Sequence, residues 1–495
     1  MNLLTFQKNF NMTSIIVFVV FSLLLILLGT IAAKSIDDKN NESYFLNHRK
    51  FDTYLIAISA AITGNTGFII TGAVALGYLF GMSALVLPLS WLLGDIIYWL
   101  IFPAKLNSIS KETNSYTIAS FLSNGLSETK LLRLLVTLIV TFSIAFYTAV
   151  QWIAAGITFS TFFEFSSIKL GIIISGIVVL LYSFKGGLKS SVWTDIFQAI
   201  FVTVLIIVVF IKAFTLHGSF ENFIQVSSKV SDGYMDITNH YTVFSLIGFI
   251  IGWAFASIGF GLSQPQVIIR YFAGSSPSTV RKGMFTYLFF LQFTWLGLTF
   301  FGIFIRTLLP ELSSSYLDAQ TALPEFARQN FSDITAAIIL TGMFAVISST
   351  ADSFLISTVN SIKLDIFQKS KISKVSNAKI TLVIGVITIL IALLINNPSI
   401  EKIARNIVTL LAGMIGPAMF IKSLKLKHNS KSLAISIICS TIFSLIWWST
   451  IEHFGDKYFG NGLIDSLTPT VFAFVIGVVS NYIIIKSTGY NNAHK

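Results

Sequence analysis

Apolar runs of about twenty residues recur along the whole chain, and no other feature constrains its fold as tightly. The stretch TSIIVFVVFSLLLILLGTIAA near the start is one, and AISIICSTIFSLIWW near the end is part of another. A run of roughly 20 apolar residues is the length that spans a bilayer as a helix. The chain is 54% hydrophobic and 11% charged, with a mean hydropathy of +0.79. A soluble domain carries about 25% charged residues. The single cysteine, Cys439, excludes an internal disulfide framework and a cysteine-based metal cluster, and its apolar run makes it a small buried hydrophobe. A net charge of +11 could suggest a nucleic-acid partner. Here the basic residues sit in short links between apolar runs, which is a topology signal and not a nucleic-acid surface.

Hydropathy predicts an all-α polytopic membrane protein with about 13 transmembrane helices. They fall at about 13–33, 53–82, 84–104, 131–161, 168–184, 191–214, 241–263, 283–308, 333–363, 378–396, 402–421, 432–451 and 466–486. The first run lacks a small-residue cleavage site and reads as a retained helix. Placing the N-terminus outside gathers most of the 33 Lys and Arg residues, Arg270 among them, into the cytoplasmic loops and tail. That asymmetry predicts an N-out, C-in protein of the cell's inner (plasma) membrane, embedded in lipid bilayer.

The informative positions are defects in these helices. In SAAITGNTGFIITG the run Thr63-Gly64-Asn65-Thr66-Gly67 is a poor mid-membrane helix. Unwound backbone there would expose carbonyls, tolerable where they line a cavity. Close packing through small residues is the alternative. GFGLSQPQ carries a second defect, with Gly259, Gly261 and Pro265 beside Gln264. The two broken segments lie five helices apart, as in transporters built from inverted repeats. In the ninth segment Ser349, Asp352 and Ser353 share one helix face, with Ser348 and Thr350 beside them. Hydroxyl and carboxylate oxygens suit a hard cation such as sodium. Serine and threonine also bond back to their own helix, but a carboxylate at this depth wants a counter-ion, a proton or a cavity. Asp95 and Asp195 are further intramembrane carboxylates. The six histidines all fall in expected loops or tails, on solvated surface, and argue against an enzyme.

Four stretches together resemble the sodium:solute symporter family, and within it the sodium/proline symporter branch: SYFLNHRKFDTYLIAISAAITGNTGF, the Gly-Gly then Trp-Thr-Asp stretch from Gly186 to Asp195, QPQVIIRYFAG, and GMFAVISSTADS. The likeness covers about residues 44–425. It implies a five-plus-five inverted-repeat core with one helix before and two after. The divisions are 1–52, a peripheral helix and loop; 53–421, the core, with repeats 53–214 and 241–421; and 422–495, two peripheral helices and a tail. The resemblance also implies a sodium site of backbone carbonyls from Ile62, Asn65 and Val346 with the hydroxyls of Ser349 and Thr350. A second cation site would use Asp195, Ser349, Asp352 and Ser353. Family members often carry serine where this chain has Asp352.

For the solute, Tyr147 and Pro265 match positions of the proline branch. Two aromatic pocket positions appear here as Ser257 and Gly261, and an aspartate of that branch is Gly64. Gln151 and Gln264, with Trp152 and Phe255, could rebuild a pocket of another shape. The expected function is sodium-coupled import of a small organic solute, proline or another amino acid among the candidates, by alternating access. Sodium is the coupling ion and no cofactor is expected. A proton-coupled symporter is the first alternative. A membrane sensor on a transporter-like fold is the second, and it would call for a signalling domain beyond the last helix.

Overall fold

The computed structural model describes residues 12–37, 39–163, 167–184, 186–312, 315–367, 375–395, 399–452, 462–464 and 466–488. Among them the regular secondary structure is helical, apart from one isolated bridge between Phe51 and Gly274. The principal helices are α1 (Met12–Ala33), α2 (Thr53–Gly64), α3 (Val74–Phe80), α4 (Val86–Ile101), α5 (Lys130–Phe163), α6 (Ile168–Ser183), α7 (Gly187–His217) and α8 (Val243–Ser263). They continue as α9 (Pro265–Phe272), α10 (Met284–Ile305), α11 (Asp333–Ser361), α12 (Asn377–Leu394), α13 (Ile400–Ser423), α14 (Ser430–Trp447) and α15 (Pro469–Ser487).

By length and composition, eleven stretches among the described residues can cross a membrane. The thirteen expected segments differ from these in three places. The second is split, leaving the short α2. Its remainder runs on with the third as one apolar stretch, Ile69–Glu112. The fifth, α6, is short.

α11 is the centre of the molecule. Every residue from Ile339 to Ser361 is buried. α7, α5 and α1 pack against it. α1 shows how a peripheral span solves its contacts. Phe18, Phe21, Leu25 and Gly29 form one inward stripe at helical spacing, while Val19, Val20, Leu23 and Leu27 face outward.

Two helices are interrupted inside the core. α2 stops at Gly64, and Asn65 leaves the helical region with φ −79° and ψ 83°. α8 stops at Ser263, where Gln264 is extended before Pro265 opens α9. Proline explains the second break directly. Its ring would collide with the preceding turn if α8 continued, whereas the first turn of a new helix has no use for the missing N–H.

Three sequence expectations change. Arg270, counted with the cytoplasmic charges, is 1% exposed and lies inside the core on α9. His217 is buried at the end of α7, with Nε2 2.8 Å from the Phe304 carbonyl oxygen. Cys439 is partly exposed on α14 rather than buried.

Small residues set how closely helices approach. A Cβ on Gly77 would lie 1.9 Å from the Thr299 carbonyl oxygen, and one on Gly302 would lie 2.1 Å from that of Val74. α3 and α10 therefore touch backbone to backbone. Gly297, on the same α10, would meet nothing nearer than the Ile206 side chain at 3.5 Å. Replacing a helical glycine with alanine gains about 1 kcal/mol of helix propensity, whereas overpacking costs about 1–3 kcal/mol. Gly297→Ala should raise the thermal unfolding midpoint of the purified protein slightly. Gly77→Ala should lower it, because backbone cannot move aside as a side-chain tip can.

Candidate functional site

The break after Gly64 leaves backbone groups that the helix no longer pairs. Some are recovered locally. The Asn65 N–H donates to the Ala61 and Ile62 carbonyls at 3.0 and 3.1 Å. The Gly67 N–H is satisfied from another helix, by Gln151 Oε1 on α5 at 2.7 Å. Asn65 Nδ2 donates to Thr294 Oγ1 on α10.

The remaining carbonyls face α11. The Thr350 hydroxyl lies 3.2 Å from the Thr63 carbonyl oxygen and 3.3 Å from those of Asn65 and Val346. The Ser349 hydroxyl lies 3.0 Å from the Val346 oxygen and 3.4 Å from that of Ile62. All five residues of the expected sodium set thus meet in one place. The Ile62 carbonyl already accepts from the Asn65 N–H, and the single hydrogen of Thr350 can serve only one of the Thr63 and Asn65 carbonyls at a time. Oxygens about 3.3 Å apart are edge neighbours of an octahedron whose centre is about 2.3 Å from each, a distance at which hard cations take oxygen ligands.

Ser348, the third hydroxyl of the motif, faces elsewhere. Its Oγ accepts from Gln198 Nε2 at 2.8 Å, and its carbonyl accepts from the Tyr182 hydroxyl at 3.0 Å. It anchors α11 to α6 and α7.

The second expected set also comes together, around a cation that sequence reasoning misplaced. Arg270 Nη2 donates to Asp195 Oδ2 at 2.8 Å, Ser353 Oγ at 2.7 Å and Ser191 Oγ at 3.1 Å. Its Nε donates to Ser59 Oγ at 2.6 Å and its Nη1 to the Gln266 carbonyl at 2.6 Å. Asp195 accepts in addition from Ser59. Asp352 Oδ1 accepts from Ser191 at 3.1 Å and from Ser353 at 3.0 Å. Ser349 contributes its backbone carbonyl, which accepts from Ser353 at 2.7 Å, while its hydroxyl belongs to the first set. One guanidinium therefore joins α2, α7, α9 and α11. The signal in the sequence was an arginine with apolar or aromatic neighbours on both sides, VII-Arg-YF, where a loop charge would have polar company.

The expected solute residues separate. Tyr147 lines a cavity of about 50 Å³ beside the first break, and its hydroxyl donates to Thr66 Oγ1 at 3.2 Å. Gln151 staples the break, as described. Ser257 and Gly261 do not line this cavity. The Ser257 hydroxyl donates to Asp95 Oδ1 at 2.6 Å, and the Tyr98 ring occupies the space over Gly261 and bonds its carbonyl at 2.8 Å. The small side chains on α8 let α4 fill what larger ones would have occupied, and Asp95 gains a partner invisible in the sequence. Gln264 lies at the second break, where Oε1 accepts from Gln266 at 3.0 Å. Pro265 lines a different, smaller cavity with Ile269, Phe272 and Asn360. Trp152 is turned to α12, donating to Thr388 at 3.0 Å, and Phe255 packs outward against Phe474.

The cavity's walls were not foreseen. Trp91, Trp253, Trp295, Tyr287 and Phe68 line it, from α4, α8, α10 and the segment after the first break. Glu401 and Arg405, on the first turns of α13, complete it. Only the tertiary arrangement brings these elements to one point.

Comparison with known proteins bears on the family and the fold. The model of the sodium:solute symporter family matches residues 44–429. The osmoregulated proline transporter OpuE of Bacillus subtilis is 23% identical over 440 residues, which is 87% of this chain and 88% of the relative. A sodium/proline symporter of Staphylococcus aureus is 22% identical over 498 residues, 97% of this chain and 94% of the relative. Among solved structures, a Na⁺-coupled sialic acid symporter in a substrate-bound outward-open state superposes with a TM-score of 0.77 at 15% identity, covering 96% of this chain and 98% of that one. MhsT in complex with L-phenylalanine gives a TM-score of 0.52 at 13% identity, covering 86% and 97%.

Removing one partner of a buried ion pair strands the other, at a cost of about 3–5 kcal/mol. Asp195 and Arg270 are 0% and 1% exposed. Arg270→Gln should lower the unfolding midpoint of the purified protein strongly. The double variant Asp195→Asn/Arg270→Gln should recover part of that loss, and a double-mutant cycle on the midpoints measures the coupling.

Proposed function

The chain belongs to the sodium:solute symporter family, and on that premise we propose that it couples sodium entry to the import of a small organic solute. Both pass through one site beside the break in α2. The protein is a transporter and not an enzyme, and it crosses the membrane many times. The reading places it in the plasma membrane with the N-terminus outside. Core repeats run over 53–214 and 241–421, and the flanking helices are peripheral. Sodium is cargo, and no cofactor takes part.

One observation carries the proposal. The carbonyls of Ile62, Asn65 and Val346 and the hydroxyls of Ser349 and Thr350 come together across two helices, with hydroxyl-to-carbonyl distances of 3.0 to 3.4 Å, an oxygen-rich set of the kind that suits a hard cation. A sodium ion there ties α2 to α11. Thr66, one residue past Asn65, lines the neighbouring cavity. Ordering the break therefore orders the solute's wall, and each ligand binds better with the other present. The loaded core then turns its site inward. An inside-negative potential assists by about 2.3 kcal/mol per charge per 100 mV. Two relatives transport proline. Proline or another amino acid is the solute proposed here.

In proteoliposomes, replacing external sodium with choline at fixed pH should abolish concentrative uptake. Ser349→Ala and Thr350→Ala should each raise the sodium concentration for half-maximal uptake by about tenfold, the equivalent of roughly 1.4 kcal/mol. Unchanged sodium dependence in both variants refutes the site. Uptake driven by a pH gradient without sodium assigns the coupling to a proton.

A further inference from the structure

α11 carries more side-chain oxygen than the proposed sodium set uses. Ser349, Ser353, Ser357 and Ser361 follow one another every four residues. Asp365 stands one interval further, in the turn Ile362–Ile366 that continues the helix. Side chains four apart are neighbours on a helix, so these oxygens form a ladder. It starts in the sodium set and ends beyond α11. Ser357 lies about 12 Å along the helix from Ser349, at 1.5 Å per residue.

Hydroxyls on a membrane helix commonly bond back to their own helix. Ser353 does so, to the Ser349 carbonyl at 2.7 Å. Ser357 does not. Its hydroxyl and Asn360 Oδ1 have no hydrogen-bond partner among the described residues, and the two residues are 2% and 3% exposed. Buried polar atoms are ordinarily paired, with protein, water or an ion. A second observation stands beside them. Ser357, Asn360 and Ser361 line a cavity of about 10 Å³, with Pro265 of the second break and Thr117 of the link between α4 and α5. That is room for about one water or one small ion. Two bonds fasten the link to the end of the ladder. Asn360 Nδ2 donates to the Tyr116 carbonyl at 2.7 Å, and the Thr117 hydroxyl donates to Asp365 Oδ1 at 3.1 Å.

The Arg270 cluster touches the ladder at Ser353. It sets two carboxylates, Asp195 and Asp352, against one guanidinium, so its charge balance does not oppose a passing cation.

We propose that Ser357, Asn360 and Ser361 form a relay site for sodium, where the ion pauses on its way along the α11 ladder from the first set to the cytoplasm. The site shares no residue with either oxygen set drawn from the sequence. It rests on the sodium set and the membrane orientation proposed above. Release then requires the Tyr116–Thr117 link to leave Asn360 and Asp365, which opens the cavity.

The chain has one cysteine, so Cys439→Ser gives a full-length background without thiols. Ile118→Cys, on the cavity wall, reports through its rate of modification by a membrane-impermeant methanethiosulfonate added to the cytoplasmic face of inverted vesicles. Ile268→Cys, on α9, is a second reporter from the same wall should the first not fold. With N-methyl-D-glucamine in place of sodium the reporter should be modified, and cytoplasmic sodium should slow it severalfold. Ser357→Ala should raise the half-protecting sodium concentration roughly fivefold, the effect of losing one polar partner. Ser357→Thr, which keeps the hydroxyl, should restore it. A serine that only packs α11 would leave that concentration unmoved. The proposal falls if both reporters resist modification with and without sodium, if sodium gives no protection, or if Ser357→Ala protects at the wild-type concentration. The two sites fail separately. Unchanged external sodium dependence in Ser349→Ala and Thr350→Ala removes the first set, whereas unchanged internal protection in Ser357→Ala removes only the relay.

Discussion

Backbone carbonyls inside a bilayer must find partners, and the break after Gly64 frees several of them. Much of the core is arranged around that demand. Gln151 on α5 takes the Gly67 N–H, and Thr294 on α10 takes the Asn65 amide. α11 brings two hydroxyls to the carbonyls that remain. The unwound turn is thus gripped from three helices, and the single Thr350 hydrogen is shared between the Thr63 and Asn65 oxygens. An oxygen-rich site of this kind suits the hard cation proposed above.

The buried arginine solves a different problem with similar parts. Two carboxylates, Asp195 and Asp352, lie fully buried at the core's centre. Arg270 supplies charge and a planar fork of donors, and it reaches residues on α2, α7 and α11 from α9. Lysine, a point charge with three donors, could not reproduce that spread. The two clusters are neighbours. Ser349 gives its hydroxyl to one and its carbonyl to the other, and Thr63 turns its carbonyl to Thr350 and its hydroxyl to Ser353. A change at either cluster is felt by the other through these two residues.

Packing by small side chains then decides where the solute can go. Gly94, Ser257 and Gly261 allow α4 to lie close against α8, and Tyr98 closes the space that larger side chains on α8 would have used. The open volume shifts to the region bounded by α4, α8, α10 and α13. A pocket assigned from matching positions alone therefore misses its walls. A glycine on one helix is an invitation to a neighbour, and which neighbour accepts depends on the whole arrangement.

The sequence by itself determined the membrane class and the positions of most helices, because an apolar run must be helical in lipid. It marked Gly-Asn-Thr-Gly and Gln-Pro as weak points, but small residues there serve close helix packing equally well, and the structure decided that both are breaks. It also pointed to the five oxygen donors that meet across the first break, through the resemblance its motifs carry. It could not show that Arg270 lies inside the core, because a charge beside a helix end reads as a loop until the partners that neutralise it are seen. Nor could it assemble Trp91, Trp253, Trp295, Glu401 and Arg405 into one cavity. Those residues are spread over more than three hundred positions of the chain, and only the folded packing of four helices makes them neighbours.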